Sequence, residues 1–242
     1  MKISGYVFSL LFLMTASPAF PQAAPESDVF PLSKGKLTLY FIGHGTLRFD
    51  YNGTVIHIDP VSNYTDYSKQ PKADIILITH EHGDHLDLKA ISAVSKDGTQ
   101  IVCNKASYDK ISKGKILENG QSFSTSGITV EAVPAYNTTS GRDRFHPKGR
   151  DNGYILTIEG KRLYIAGDTE DVPEMKNLKN IDIAFLPMNQ PYTMTPEQVA
   201  EAVKMFHPAI LYPYHYGDTD VSKLSALLKT IPGTELRIRN LK

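Results

Sequence analysis

A single cysteine, Cys103, stands in 242 residues, which excludes an intramolecular disulfide and any site built from several thiolates. There is no excess of charge either. The 26 Lys and Arg balance the 26 Asp and Glu, so no global field draws the chain to nucleic acid or to an anionic membrane. No apolar run reaches the roughly 20 residues that a spanning helix requires. There is no GxSxG elbow and no P-loop to suggest a serine nucleophile or a phosphate cradle. What is present is a composition of 41% hydrophobic and 21% charged residues, enough for one large folded domain and unlike a disordered or collagen-like chain. Any metal must be held by histidines and carboxylates, and there are eight histidines. Cys103 ends the apolar run Gln100 to Cys103 and reads as a small core residue.

Residues 1–24 carry a lysine at position 2, an apolar run from Tyr6 to Met14 and then small residues and prolines. This is the pattern of a secretory signal peptide. Ser17 and Ala19 suit cleavage after Ala19, with sites after Ala23 or Ala24 as alternatives. The expectation is a secreted protein without a stable membrane anchor, periplasmic if the source is Gram-negative. Residues 25–242 are expected to form one domain.

From Lys36 onward, short apolar runs alternate with turn signals. Strands are expected at Leu37 to Ile42, Leu47 to Tyr51, Thr54 to Asp59, Asp74 to Ile78 and Gln100 to Cys103, with Asn52-Gly53 as a hairpin turn. Later strands are expected at Ile128 to Pro134, Tyr154 to Glu159, Arg162 to Ala166, Ile181 to Leu186, Ala209 to Tyr212 and Glu235 to Ile238. Leu86 to Val94 and Val221 to Lys229 fit helices. The clearest helix begins at Thr195-Pro196-Glu197-Gln198, a capping box with proline at the first helical position, and Pro208 stops it. Two stretches resist assignment, Ser62 to Gln70 and Tyr136 to Asn152, and the second is too long for an ordinary connection.

The sharpest signal is Thr79-His80-Glu81-His82-Gly83-Asp84-His85, directly after the apolar run Ile75 to Ile78. A buried strand that ends in such a cluster carries it to the sheet edge, where side chains can converge on an ion. His80 and His82 share one face of an extended segment, while Asp84 and His85 follow the turn at Gly83 and can serve a second ion. Imidazole and carboxylate suit a borderline cation such as zinc, and manganese or iron accept them too. Gly167-Asp168 follows the strand Arg162 to Ala166, and His215 follows Ala209 to Tyr212, which puts two more ligand types just past strand ends. His57, between Ile56 and Ile58, and His207, before Pro208, read as structural.

The stretch THEHGDH resembles the HxHxDH signature of the metallo-β-lactamase fold superfamily. Tyr40 to Gly45, Val55 to Pro60, Ala166-Gly167-Asp168-Thr169 and Pro213-Tyr214-His215-Tyr216 are similar, in order, to the motifs of its branch of ascorbate-phosphate lactonase-like and phospholipase D-like zinc hydrolases. The resemblance implies an α+β fold, a four-layer αββα sandwich with a metal site at one edge. It also implies that His80 and His82 ligate a first ion, Asp84, His85 and His215 a second, and that Asp168 bridges the two. The family usually supplies a third histidine to the first ion from a strand end. Here that stretch is Val133 to Asn137, which has none. His146, in the long loop that follows, is the candidate substitute as ligand or substrate contact, with Asn137 as the other option. His44 and Asp59 are candidates for orienting the ligands from behind.

Two divalent ions about 3.5–4 Å apart lower the pKa of a shared water toward 7. The expected activity is therefore hydrolysis by a metal-bound hydroxide, with Asp84 as the catalytic residue that orients the nucleophile and takes its proton. Arg142 and Arg144, with Lys148 and Arg150 in the same loop, are candidate contacts for an anion, so a small anionic ester, lactone or phosphodiester is the expected substrate. Tyr136, Tyr192, Tyr214 and Tyr216 lie near the motif ends as candidate pocket residues. The alternatives are a non-catalytic metal- or ligand-binding protein on the same fold and, more distantly, a β-lactamase. No nucleic acid partner is expected, because the balanced charge and short chain leave no room for a domain that binds one.

Overall fold

Fourteen strands in two sheets dominate the chain, seen in a computed structural model that describes Met1 and residues 25–242. The expected signal peptide lies outside the described residues, apart from Met1. The first sheet runs, in chain order, through β1 (Glu26–Leu32), β2 (Gly35–Gly43), β3 (Thr46–Tyr51), β4 (Thr54–Ile58), β5 (Ile75–Ile78), β6 (Gln100–Cys103) and β7 (Lys115–Ile116). β1 to β4 form an antiparallel meander, and β4 to β7 are parallel. Parallel strands need crossovers. Two of these are the helices α1 (Leu88–Val94) and α2 (Lys105–Ile111).

The second sheet repeats the plan: β8 (Ser122–Thr125), β9 (Ile128–Ala135), β10 (Asp151–Ile158) and β11 (Lys161–Ile165) pair antiparallel. β12 (Ile183–Pro187), β13 (Ile210–Tyr214) and β14 (Glu235–Leu236) then continue in parallel. Its crossovers are a 3-10 turn at Pro173–Asn177, α3 (Pro196–Phe206) and α4 (Val221–Leu228).

Alternation along β5 shows why the layers form. Ile75 and Leu77 enter the core between the sheets, whereas Ile76 and Ile78, with Ile101 and Cys103, meet Ala90, Ile91 and Val94 of α1. Burying such a side chain stabilises by roughly 1.5–3 kcal/mol. Between the sheets, Phe185 packs against Phe41 and Phe49 with ring centroids 6.4 and 5.7 Å away. On the outer side Tyr164 meets Phe206 of α3 edge-on at 5.7 Å. Both the Thr195 hydroxyl and the Gln198 side chain of the α3 capping box are engaged. The expected αββα layering is thus present.

β1 is, with the short β7 and β8, a strand that sequence patterning missed. None of its seven residues is buried. Pairing with β2 and the ion pairs of Asp28 with Arg237 and Arg239 hold it instead. α2 was also missed, since only Ser107 and Ile111 of its seven residues are buried, so its apolar stripe is thin.

The pairing directions put the carboxyl ends of β2, β4, β5, β9, β11, β12 and β13 at corresponding edges of their sheets. The residues just past those ends are His44, Asp59, Thr79, Tyr136, Ala166, Met188 and His215.

Candidate metal centre

Three groups of ligand atoms converge at this edge. His80, His82 and His146 form one, His44, Asp84, His85 and His215 a second, and His80, His85 and Asp168 a third that joins them; within each, the atoms lie within 4.8 Å of one another. Asp168 is the hinge of the arrangement. Its Oδ2 stands 3.3 Å from His215 Nε2, 3.5 Å from His146 Nε2 and 3.9 Å from His80 Nε2, and its Oδ1 is 3.4 Å from His85 Nε2.

The imidazoles are aimed from behind. Asp59 accepts from the Thr79 amide at 2.8 Å, the Thr79 hydroxyl at 2.6 Å and His85 Nδ1 at 2.8 Å. The Thr79 hydroxyl has spent its one proton on Asp59, so at 3.0 Å it accepts from His80 Nδ1. His146 Nδ1 donates to Asp151 Oδ2 at 3.0 Å, and His44 Nδ1 to the backbone oxygen of Lys242 at 3.2 Å. In all four rings the anchored Nδ1 carries a proton, so Nε2 is the nitrogen that faces the centre, as a ligating histidine requires.

Four buried atoms there, Nε2 of His80, His85 and His215 and Oδ1 of Asp168, have no hydrogen-bond partner among the described residues. Orphaned polar atoms are rare in a folded interior, and four that converge as acceptors and lone pairs fit a cation. The charge states differ across the centre. Burial, reinforced by His85, pushes His80 well below its ordinary value and keeps it neutral. Burial would raise Asp168, but the imidazoles of His215 and His85 outweigh it and hold the carboxyl well below the usual carboxylate range. Burial opposes the charged form of His215 too, yet Asp168 lifts it to about 9 and holds on that ring a proton that a bound cation would displace.

The backbone is bent to make this fit. His44, Asp59 and His215 all have positive φ, at 54°, 44° and 47°, and non-glycine residues in that region store strain at functional sites. Glycine is required at two close approaches. A Cβ on Gly45 would stand 2.6 Å from His85 Cε1, and one on Gly167, at φ 65°, would stand 2.7 Å from the Asn152 carbonyl.

The structure brings His80, His82, Asp84, His85, Asp168 and His215 together and adds His146 to the side of His80 and His82. Asn137 keeps its side-chain Oδ1 buried and without a hydrogen-bond partner among the described residues. Its Nδ2 donates to the carbonyls of Tyr192 and Arg142 at 2.7 and 3.2 Å, and its amide to the His146 carbonyl at 2.8 Å, so it pins the loop that delivers His146. His44, expected only to orient ligands, also points Nε2 at Asp84, 3.3 Å away. Arg142 is held by buried Glu170 at 3.4 Å, and Arg144 lies 4.8 Å from the Phe145 ring centroid. Neither lines the cavity of about 210 Å³ that opens on the centre. Of the four tyrosines only Tyr192 lines it. Tyr136 bonds Glu174, Tyr214 the Gly167 carbonyl and Tyr216 the Arg239 carbonyl. His57 donates to the Pro71 carbonyl inside the fold, and His207 caps α3. Sequence reading passed over Thr79 and Asp151 as orienting groups and Phe145 and Asn189 as cavity walls. A Thr or Asp beside a histidine carries no signal until the fold is known.

A family described as Beta-lactamase superfamily domain matches residues 38–215. The chain belongs to the β-lactamase superfamily. A solved structure of a Parabacteroides distasonis protein assigned as a metal-dependent hydrolase is 60% identical, with a TM-score of 0.88, over 90% of this chain and 100% of that one. A UPF0173 metal-dependent hydrolase of Enterococcus faecalis is 34% identical over 188 residues, 72% of this chain and 84% of the relative. The metallo-β-lactamase fold protein YhfI from Bacillus subtilis shares 13% identity with a TM-score of 0.65, over 88% and 92% of the two chains, which shows the common fold. These relationships place the superfamily member described here among metal-dependent hydrolases.

Proposed function

We propose that this chain hydrolyses a small ester, lactone or phosphodiester with two divalent ions, zinc in the first instance and manganese or iron as the alternatives. The observation that carries the reading is the sharing of Asp168 between the His80, His82, His146 side and the Asp84, His85, His215 side, with unpartnered acceptor atoms turned inward. Divalent ions held there supply Lewis-acid polarisation and lower the pKa of a bound water. Asp168 stays ionised under the influence of His215 and His85 and joins the two sides. Asp84 keeps 46% of its side chain exposed at the cavity, with Oδ2 3.3 Å from His44 and 3.5 Å from His215. It is the carboxylate placed to orient the attacking water and to take its proton. Phe145 and Tyr192 line the same cavity and give it an apolar wall beside the ligands. The same reading makes the protein an exported one, on the pattern of residues 1–24.

The test is turnover by metal-loaded protein on simple esters, lactones and phosphodiesters, with Asp168→Ala as control. The expected result is a loss of several orders of magnitude in the variant. Equal turnover by variant and parent would sink the reading.

A further inference from the structure

Beyond its metal-ligand candidates, the cavity of about 210 Å³ is walled by Phe145, Tyr192 and Asn189. Among the described residues, no lysine or arginine lines it. The basic loop that precedes β10 is spent elsewhere: Arg142 on Glu170, Lys148 on Glu174 at 2.9 Å, and Arg150 on Asp151 at 2.7 Å and Glu81 at 3.3 Å. Arg144 stacks on the Phe145 ring. The Phe145 and Tyr192 rings meet edge-on with centroids 5.0 Å apart, and Asn137 ties the Tyr192 carbonyl to the His146 loop, which fixes this pair. Asn189 lines the cavity, bonds Thr193 through its backbone, and makes no side-chain hydrogen bond among the described residues.

We propose that the part of the substrate away from the scissile bond is small, uncharged and apolar, seated on the Phe145 and Tyr192 rings with the Asn189 amide as its hydrogen-bonding partner. This rests on the hydrolase reading and narrows it. A carboxylate or phosphate on that part of the substrate meets two aromatic rings and no cation, and an unpaired charge is costly to desolvate. The volume is below the ~300–1,000 Å³ of pockets for drug-sized ligands, so the substrate is of metabolite size. The charge that sequence reading attached to the substrate is therefore confined to the scissile group, where the ions themselves answer it.

The experiment compares 4-nitrophenyl butyrate with 4-nitrophenyl hemisuccinate on metal-loaded protein, since these esters share a leaving group and a chain length and differ in one terminal carboxylate. The expected kcat/KM favours the butyrate by roughly tenfold or more. Tyr192→Ala and Phe145→Ala each raise KM for the butyrate more than they lower kcat, with metal content unchanged. Equal or better turnover of the hemisuccinate overturns the proposal, as does a preference for it that disappears in Arg144→Ala. If no ester, lactone or phosphodiester is turned over, the hydrolase reading itself has failed. The cavity is then tested by calorimetric binding of N-phenylbutanamide against N-phenylsuccinamic acid, where tighter binding of the amide without the carboxylate supports the proposal and tighter binding of the acid overturns it.

Discussion

His146 Nε2 lies 3.5 Å from Asp168 Oδ2 while its Nδ1 lies 3.0 Å from Asp151 Oδ2. A loop histidine thus takes up the geometry of a ligand: one nitrogen held by a carboxylate, the other turned to the carboxylate that joins both sides of the centre. Asp151 opens β10 and is itself gripped by Arg150, so the loop side chain is anchored to the sheet.

Asp151→Asn tests that anchor. The amide is a weaker acceptor and can present a donor to His146 Nδ1, so the ring loses its fixed tautomer. The expected outcome is a drop of ~10–100-fold in affinity at the His80, His82, His146 side, read by competition with a chelator. The affinity of the other side should move little.

Asn137→Ala removes the pin between the His146 loop and Tyr192. The Tyr192 and Arg142 carbonyls lose their shared donor, at a cost of about 0.5–1.5 kcal/mol for a lost hydrogen bond. Denaturant unfolding should show that loss. In a turnover assay KM should rise, because the aromatic wall is no longer held in place.

His57 predicts a pH dependence independent of the metal. Burial lowers it from 6.5 to about 4, outweighing the bond to the Pro71 carbonyl. Between those values the unfolded chain binds a proton that the folded chain refuses, so stability rises with pH across the window. At about 1.4 kcal/mol per pH unit, the loss on going from pH 7 to pH 4 is on the order of 3 kcal/mol. His57→Gln should remove that part of the acid sensitivity. Parallel stability curves for variant and parent between pH 7 and pH 4 would count against it.

How much of this was legible in sequence depended on whether the signal was local. The strand before Thr79 and the cluster His80 to His85 are contiguous, so apolar run, turn and ligand types could be read together. The meander was legible because Asn52-Gly53 marks its turn. β1 was not, since Pro31 and the charged Glu26 and Asp28 mask a strand held by an ion pair to residues more than 200 positions away. His146 was legible as a candidate only. Fifteen residues separate β9 from β10, and nothing in the spacing says where a loop of that length will fold back. The roles of Arg142 and Arg144 misled for a related reason: a basic loop looks like an anion site until Glu170 is found beside Arg142.

The most direct measurement is metal per chain, by elemental analysis of protein purified without a histidine tag or chelator, for the parent and for His146→Ala. The account predicts close to two ions in the parent and close to one in the variant, with the remaining ion on the side of Asp84, His85 and His215. Two ions retained by His146→Ala, or one or fewer in the parent, would contradict it.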